Sequence, residues 1–216
     1  EEQAVIAQAE QYHEGLTELA ASGNEEESIS PLLDFDEIPI NESIAKVKEP
    51  DFRRASWGMS QAEVRALEDG ESDFQSHSML SYSTRICGVS MTVAYNFVNN
   101  MCFLGAYLSK EVYSNLNSHI DDFGRIADLL ETKYGTPDKD QTVWRDDLYK
   151  GDPQRYGLAV SAGHLVFNKE WNRGDTNIGL MLRGENYSVS LGLIYQSQRY
   201  GAISDVAARD NDLEAL

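Results

Sequence analysis

Apolar and polar residues alternate through the middle of the chain, which is the pattern of β-strands with one buried face. Three such runs cover residues 80–86, 89–97 and 102–108. The dipeptides Cys87-Gly88 and Asn99-Asn100 separate the runs, and both suit the backbone of a tight hairpin turn. The pattern therefore predicts three antiparallel strands.

The turn at Asn99-Asn100 fixes the register of its two strands. It pairs Phe97 with Cys102, Tyr95 with Leu104, and Val93 with Ala106. Since side chains alternate between the faces of a sheet, this register places Phe103 and Tyr107 on the polar face. Exposed aromatic side chains are candidate anchors for a partner, so both are predicted binding residues. The alternative is that an N-terminal helix or the segment 203–216 covers them.

Two helices each precede a set of strands. The first begins at Ser60, which forms a capping box with Glu63, and it stops at Gly70. The second begins at Asn117 or Ser118 and ends at Gly135. Its apolar stripe has the spacing of one helix face and comprises Ile120, Phe123, Ile126, Leu130 and Tyr134.

A further group of strands follows the second helix. Strand patterns cover residues 141–149, 164–171, 176–183 and 187–197. The irregular stretch from Gly151 to Gly163 has room for a short helix after Pro153. A turn at Glu185-Asn186 pairs Leu182 with Val189, Leu180 with Leu191, and Ile178 with Leu193. The same turn places Tyr187 on the core face.

In both groups only one sheet face is apolar, which is typical of antiparallel sheets covered on one side. The fold class is therefore α+β, with two successive helix-plus-antiparallel-sheet units in the order α-βββ-α-ββββ and the helices on one sheet face. The units cover about 55–110 and 115–197 within a body of residues 51–200, which the segment 201–216 follows. They form either two adjacent sheets or one long curved sheet.

The first fifty residues differ from the rest in charge. They carry 13 carboxylates and two lysines, a net of −11 out of the −18 of the whole chain. Apolar residues at helical spacing predict an amphipathic helix at 2–21, followed by a solvated linker, so residues 1–50 are an acidic leader. The negative charge argues against nucleic acid and anionic lipid as partners. No apolar run approaches the roughly 18 residues that a transmembrane helix needs.

The two cysteines are predicted to be unpaired. Cys87 and Cys102 fall at opposite ends of the central predicted strand, over ~20 Å apart. A disulfide needs Cα atoms within about 7 Å. Free cysteines suit the cytoplasm and also occur in exported proteins, so the thiols leave the compartment open.

The start of the body resembles a pattern in uncharacterised bacterial proteins, many of them exported or lipid-anchored. The pattern runs Phe52-Arg53-Arg54-Ala55-Ser56-Trp57-Gly58-Met59-Ser60 and continues through Tyr134-Gly135-Thr136-Pro137 and Gly163-His164-Leu165. More distantly, Gly58-Met59-Ser60 is similar to small lipoproteins of the outer-membrane barrel-assembly machinery, and the tandem helix-and-sheet order is similar to β-lactamase inhibitor proteins. These resemblances imply protein binding through a solvated sheet face. They also imply an extracytoplasmic or cell-envelope location with the signal sequence already removed; a cytoplasmic acidic scaffold is the alternative.

The sequence carries none of the G-x-S-x-G, P-loop or H-E-x-x-H motifs. Its four histidines have no zinc-ligand spacing, and nothing predicts a metal or a cofactor. The triplet Asp210, Asp212 and Glu214 imitates part of a calcium loop but lacks the central glycine, so a solvated turn is predicted.

These features favour a non-enzymatic binding module with a protein partner, and a carbohydrate stacked on aromatic rings is the second ligand class. The alternative is a small hydrolase or ligand-binding protein with a pocket between the two units. That pocket would be lined by Tyr156, His164 and Trp171, and Ser161 is the nucleophile nearest to His164 in the sequence. These three residues join Phe103 and Tyr107 as the candidate binding residues, and no catalytic residue is assigned.

Overall fold

The computed structural model of the chain describes residues 49–204. These residues form an α+β fold whose strands pair in one eight-stranded antiparallel sheet. The predicted helix at 2–21 and the rest of the leader up to residue 48 lie outside the described residues. So does the acidic triplet Asp210, Asp212 and Glu214.

The bounds of the elements follow the sequence patterns closely. The strands are β1 (Phe74–Gln75), β2 (Met79–Ile86), β3 (Val89–Val98), β4 (Met101–Ser109), β5 (Lys139–Trp144), β6 (Leu165–Arg173), β7 (Thr176–Glu185) and β8 (Ser188–Ser197). The helices are α1 (Gln61–Leu67), α2 (Ser118–Tyr134) and α3 (Tyr156–Ser161), with a 3₁₀ turn at Pro153–Arg155. Residues 198–204 are also helical. Strand β5 is shorter than predicted, and the two-residue strand β1 was not predicted.

The strand order is β1-β2-β3-β4-β8-β7-β6-β5, which is symmetric about the central β4–β8 pair. Helix α1 precedes the strands of one half and α2 precedes those of the other. Both helices, together with α3, bury side chains such as Val64, Ile126 and Val160 in a single core on one face of the sheet. The predicted α+β class with an antiparallel sheet is confirmed, and both groups of strands share one sheet.

The predicted register of β3 and β4 holds only for the two pairs next to the turn, Val98 with Met101 and Phe97 with Cys102. Phe97 lies opposite Cys102, but Asn96 lies opposite Leu104, so Phe103 is the extra residue of a β-bulge. Beyond the bulge Tyr107 lies opposite Val93 and faces the core. The expectation that Phe103 and Tyr107 are exposed is therefore wrong: they are 8% and 9% exposed. The pattern could not reveal the bulge, because β4 is apolar at almost every position.

The bulge also changes the second face of the sheet, which was predicted to be polar and solvated. At its centre this face carries Ala94, Ala106 and Ile194, which are neighbours across β3, β4 and β8. All three are at most 3% exposed, and Leu104 and Met181 beside them are also buried. The centre of the sheet is thus apolar and buried on both faces, and the expectation of an open second face is wrong there.

The β7–β8 turn lies one residue further along than predicted. Asn186 and Tyr187 form it, with Glu185 opposite Ser188, so Leu182 lies opposite Leu191 and not Val189. Because each partner shifts by two positions, the apolar residues stay on the core face. Tyr187 itself leaves the strand and is 75% exposed, in contrast to its predicted place in the core.

A single aromatic ring fills the centre of the core face, where β4 and β8 meet. Phe52 lies directly over Gly105, and a Cβ built on Gly105 would be 2.1 Å from the Phe52 ring. The rings of Tyr95, Tyr107 and Tyr195 surround Phe52, with centroids 5.1–5.2 Å away. The close approach explains why this strand position has no side chain.

The residues after Phe52 tie both halves of the sheet together. The Trp57 indole donates a buried hydrogen bond of 2.8 Å to the Thr176 hydroxyl at the start of β7. The backbone N–H of Gly58 donates to the Cys102 carbonyl, and the Cys102 N–H donates to the Met59 carbonyl. Ser60 and Glu63 then form the predicted capping box of α1. The Phe52-to-Ser60 pattern is thus built into the packing of the sheet.

Two further predictions concern the cysteines and the membrane. Cys87 is exposed and Cys102 is buried, and both are free thiols, as predicted. Within residues 49–204 we find no helix with the length and apolar character needed to span a membrane.

We expect Gly105→Ala to destabilise the protein by about 3 kcal/mol, because the new methyl group must displace the Phe52 ring. Gly124→Ala is the matched control, since its Cβ would meet no atom within 4 Å and it lies in α2. There alanine should stabilise by about 1 kcal/mol. Urea unfolding measures both, and a Gly105→Ala variant as stable as the wild type would contradict the packing described here.

Candidate binding surface at the β5–β6 connection

The longest connection between neighbouring strands of the sheet joins β5 to β6. It comprises residues 145–164, whereas β1 and β2 are joined by residues 76–78 alone. Its first eight residues, 145–152, form a loop before the 3₁₀ turn and α3, and binding residues are found disproportionately on loops that a rigid scaffold positions. This connection is therefore the first place to look for a site.

The connection is held rigidly on the body. The Asn117 side chain accepts a 2.6 Å hydrogen bond from the Gly157 N–H and donates to the carbonyls of Pro153 and Gln154. Asn117 was predicted as a possible cap of α2, but its side chain caps nothing there and binds the connection instead. A Cβ on Gly157 would lie 2.3 Å from the Leu116 backbone, so only glycine permits this contact.

Aromatic side chains of the connection and of the end of β5 pack in two pairs. Trp144 and Tyr156 meet edge to face with centroids 5.1 Å apart, and Tyr149 stacks on His164 at 5.7 Å. All four are partly exposed. Leu148, next to Tyr149, is 69% exposed. We call Leu148, Tyr149, Tyr156 and His164 the tip surface.

Ser161 and His164 do not form a catalytic pair. Ser161 is fully buried, and its hydroxyl donates a 2.9 Å hydrogen bond to the Leu158 carbonyl. The nearest acidic group to His164 is Asp146, with 3.8 Å between Nδ1 and the carboxylate oxygen. A general base must lie within about 3.2 Å of the oxygen whose proton it accepts, and the Ser161 hydroxyl donates to the Leu158 carbonyl and not to His164 in this arrangement.

Trp171 does not join this group of residues. It is 1% exposed, and its indole N–H donates a 2.9 Å hydrogen bond to the Gly135 carbonyl at the end of α2. Seven residues of strand separate Trp171 from His164, which corresponds to about 23 Å. The predicted pocket lined by Tyr156, His164 and Trp171 is therefore wrong, because only the first two lie at the same end of the sheet.

A polar cluster lies under α1 on the core face. The Arg53 guanidinium donates two hydrogen bonds of 2.8 and 2.9 Å to Glu68, whose side chain is almost fully buried. The Tyr95 hydroxyl donates to the same carboxylate. Arg53 and Glu68 form a bidentate ion pair, which connects the end of α1 to the turn that precedes the helix. We assign it a structural role.

Several carboxylates on the surface are engaged in ion pairs. Asp138 accepts from Arg173, and Asp140 accepts from Lys169. Asp147 pairs with Lys150 within the connection. Among residues 49–204, no group of three or more histidine, cysteine, aspartate or glutamate side chains could hold a metal ion.

Sequence reasoning missed Leu148 and Tyr149 as surface residues because it extended β5 to residue 149. The signal was present, since Asp146-Asp147 and Lys150-Gly151-Asp152-Pro153 are residues that favour turns over strands. If these residues are interpreted as turns, the strand ends at Trp144, and Leu148 and Tyr149 fall in a loop.

Comparisons with known proteins add no identification. The chain matches no protein-family model, no curated protein and no solved structure. The resemblance of its Phe52-to-Ser60 segment to exported bacterial proteins therefore stays a prediction.

We expect the stability of the protein to fall as the pH rises above about 9. Burial raises the pKa of Tyr107, Tyr195 and Tyr95, and it raises the pKa of the Cys102 thiol to about 12. The unfolded chain releases these protons near pH 9–10 while the native state keeps them, so each group costs up to about 1.4 kcal/mol per pH unit.

Unfolding free energies measured between pH 8 and pH 11 check this expectation. Tyr195→Phe removes one of the groups and should reduce the slope, whereas the surface variant Leu129→Ala should keep it. A wild-type stability that stays constant up to pH 11 would contradict the burial of these phenols.

Proposed function

We propose that the protein is a non-enzymatic binding module that contacts a protein partner through the tip surface. The observation that carries this proposal is the twenty-residue β5–β6 connection, which presents partly exposed aromatic side chains and Leu148 on a rigid base. Binding through the tip surface replaces the solvated sheet face that the sequence suggested.

The composition of the tip surface supports a protein partner. Tyrosine and other aromatic side chains are enriched among the residues that dominate binding energy at protein interfaces. Their large area is ordered at a low entropic cost, because each has only two side-chain torsions. Here Tyr149 is further restrained by its stack on His164, and Tyr156 by the hydrogen bond from its hydroxyl to the Lys150 carbonyl.

Leu148 favours a protein over a carbohydrate as the ligand. A sugar ring stacks on a flat aromatic face and needs polar side chains that bind its hydroxyl groups. An aliphatic side chain that is 69% exposed offers neither, whereas it fills an apolar pocket on a protein. Around it, Lys150 and Asp147 pair with each other, and Asp146, which accepts a hydrogen bond from the Leu148 N–H, places a carboxylate 3.8 Å from His164.

Two finer parts of the proposal rest on the sequence. We place the protein in the cell envelope or outside the cytoplasm, on the resemblance of its first body segment to exported proteins. We also treat each helix with its following strands as one structural unit, an interpretation that the symmetric strand order favours.

The tip surface can be tested with the double variant Leu148→Ser, Tyr149→Ala. We expect it to lose at least tenfold in affinity for the native partner. Leu148 is 69% exposed, but Tyr149 packs partly against the core, so circular dichroism and thermal melting of the variant are measured first to establish that it folds. The matched control is Leu129→Ser, because Leu129 is another exposed leucine, on the outer side of α2.

The partner is identified by quantitative pull-down from native cells with wild-type bait, and its affinity is then measured by calorimetry with both variants. Equal affinity for the wild type and the double variant would rule out the tip surface. Equal losses in the double variant and in Leu129→Ser would also rule it out.

A further inference from the structure

The β7–β8 turn places a tyrosine where the backbone favours glycine. Asn186 and Tyr187 have φ angles of 50° and 62°, so both central residues of this two-residue hairpin turn are left-handed. Asn-Gly is the preferred sequence for such a turn. Asparagine tolerates the conformation, but for an aromatic residue it is a strained outlier.

The structure offers no packing reason for the phenol. Tyr187 is 75% exposed, and within residues 49–204 its ring makes no aromatic contact and its hydroxyl no hydrogen bond. Arg53 is also left-handed, with a φ of 53°, but its side chain binds Glu68 and so stabilises the fold. A strained residue with an unused side chain points to a role outside the folded chain.

The turn that carries Tyr187 touches the β5–β6 connection. The Tyr187 N–H donates a 2.9 Å hydrogen bond to the Ser161 carbonyl at the end of α3. Beside it, a Cβ on Gly184 would lie 2.3 Å from the Val160 carbonyl. His164, with Tyr149 stacked on it, follows Ser161 by three residues and is hydrogen-bonded back to Ala159. Tyr187 and the tip surface therefore share one end of the sheet and one rigid support.

We infer that Tyr187 is an anchor residue of the binding surface, and that the tip surface and the β7–β8 turn together grip one protein partner. This inference rests on the proposed function. Two exposed side chains on separate connections, Leu148 and Tyr187, fit a folded protein with an apolar cleft that receives both. A flat sugar chain would use the phenol but not the leucine.

The first test uses stability, which needs no partner. Tyr187→Gly restores the preferred turn sequence, so we expect a melting temperature no lower than that of the wild type and about 2–4 °C above that of Tyr187→Ala. Both variants lack the phenol, so their difference reports the backbone strain minus the larger unfolded-state entropy of glycine. A melting temperature of Tyr187→Gly several degrees below the wild type would show that the phenol supports the fold and would overturn the inference.

The second test is site-specific photocrosslinking in native cells. The full chain carries p-benzoylphenylalanine in place of Tyr187, or in place of Leu129 as the control. We expect a crosslink to one protein from position 187 and none from position 129. The crosslinked partner is then purified, and we expect it to bind Tyr187→Gly at least tenfold more weakly than it binds the wild type. Circular dichroism of the variant should be unchanged.

The outcomes separate this inference from the proposed function. In one outcome, the partner loses affinity for the double variant Leu148→Ser, Tyr149→Ala and still binds Tyr187→Gly within twofold of the wild type. That result would support binding through the tip surface and overturn the role of Tyr187. If neither variant changes the affinity, both are overturned. Binding of purified oligosaccharides that depends on Tyr187, without a protein crosslink, would overturn the protein partner.

Discussion

The packing of the Phe52 ring against the bare backbone of Gly105 is the constraint on which the rest of the structure depends. It lies where β4 and β8 join the two sets of strands, and any side chain at position 105 would occupy the space of the ring. Three tyrosine rings surround Phe52. The buried Phe52 ring fills the space above Gly105, which has no side chain, and this aromatic packing stabilises the centre of the sheet.

That arrangement explains the most recognisable stretch of the sequence without reference to a ligand. Phe52 packs on the sheet where β4 and β8 pair, and Arg53 forms an ion pair with Glu68. Trp57 donates a hydrogen bond to Thr176 in the other half of the sheet. Ser60 caps α1. These side chains are satisfied within the fold, so the segment has little left to offer a partner. A binding role is therefore sought where side chains remain exposed, and Leu148 and Tyr187, at the end of the sheet near α3, meet that condition.

Most of the strands could be predicted from the sequence because turn dipeptides and alternation agree with each other. Cys87-Gly88 set the register of β2 and β3 correctly. Prediction failed where a turn dipeptide or the alternation of apolar and polar residues is missing. Strand β4 is apolar on both sides, so its pattern fits either face and conceals the bulge at Phe103. The β7–β8 turn was misplaced because tyrosine is not a turn residue, and the site residue Tyr187 was assigned to the core for the same reason.

Two of the regions that the sequence misplaced are set apart from the regular fold by backbone strain or by the length of a connection. Tyr187 has the backbone of a glycine, and residues 145–164 form a connection far longer than its counterpart between β1 and β2. Both are fixed to buried elements, through Ser161 and Asn117 respectively. Because those contacts already order the backbone, the proposed partner would meet a preformed surface and would lose less conformational entropy on binding. A rigid base under exposed aromatic side chains is thus the feature of this fold on which the proposed binding function rests.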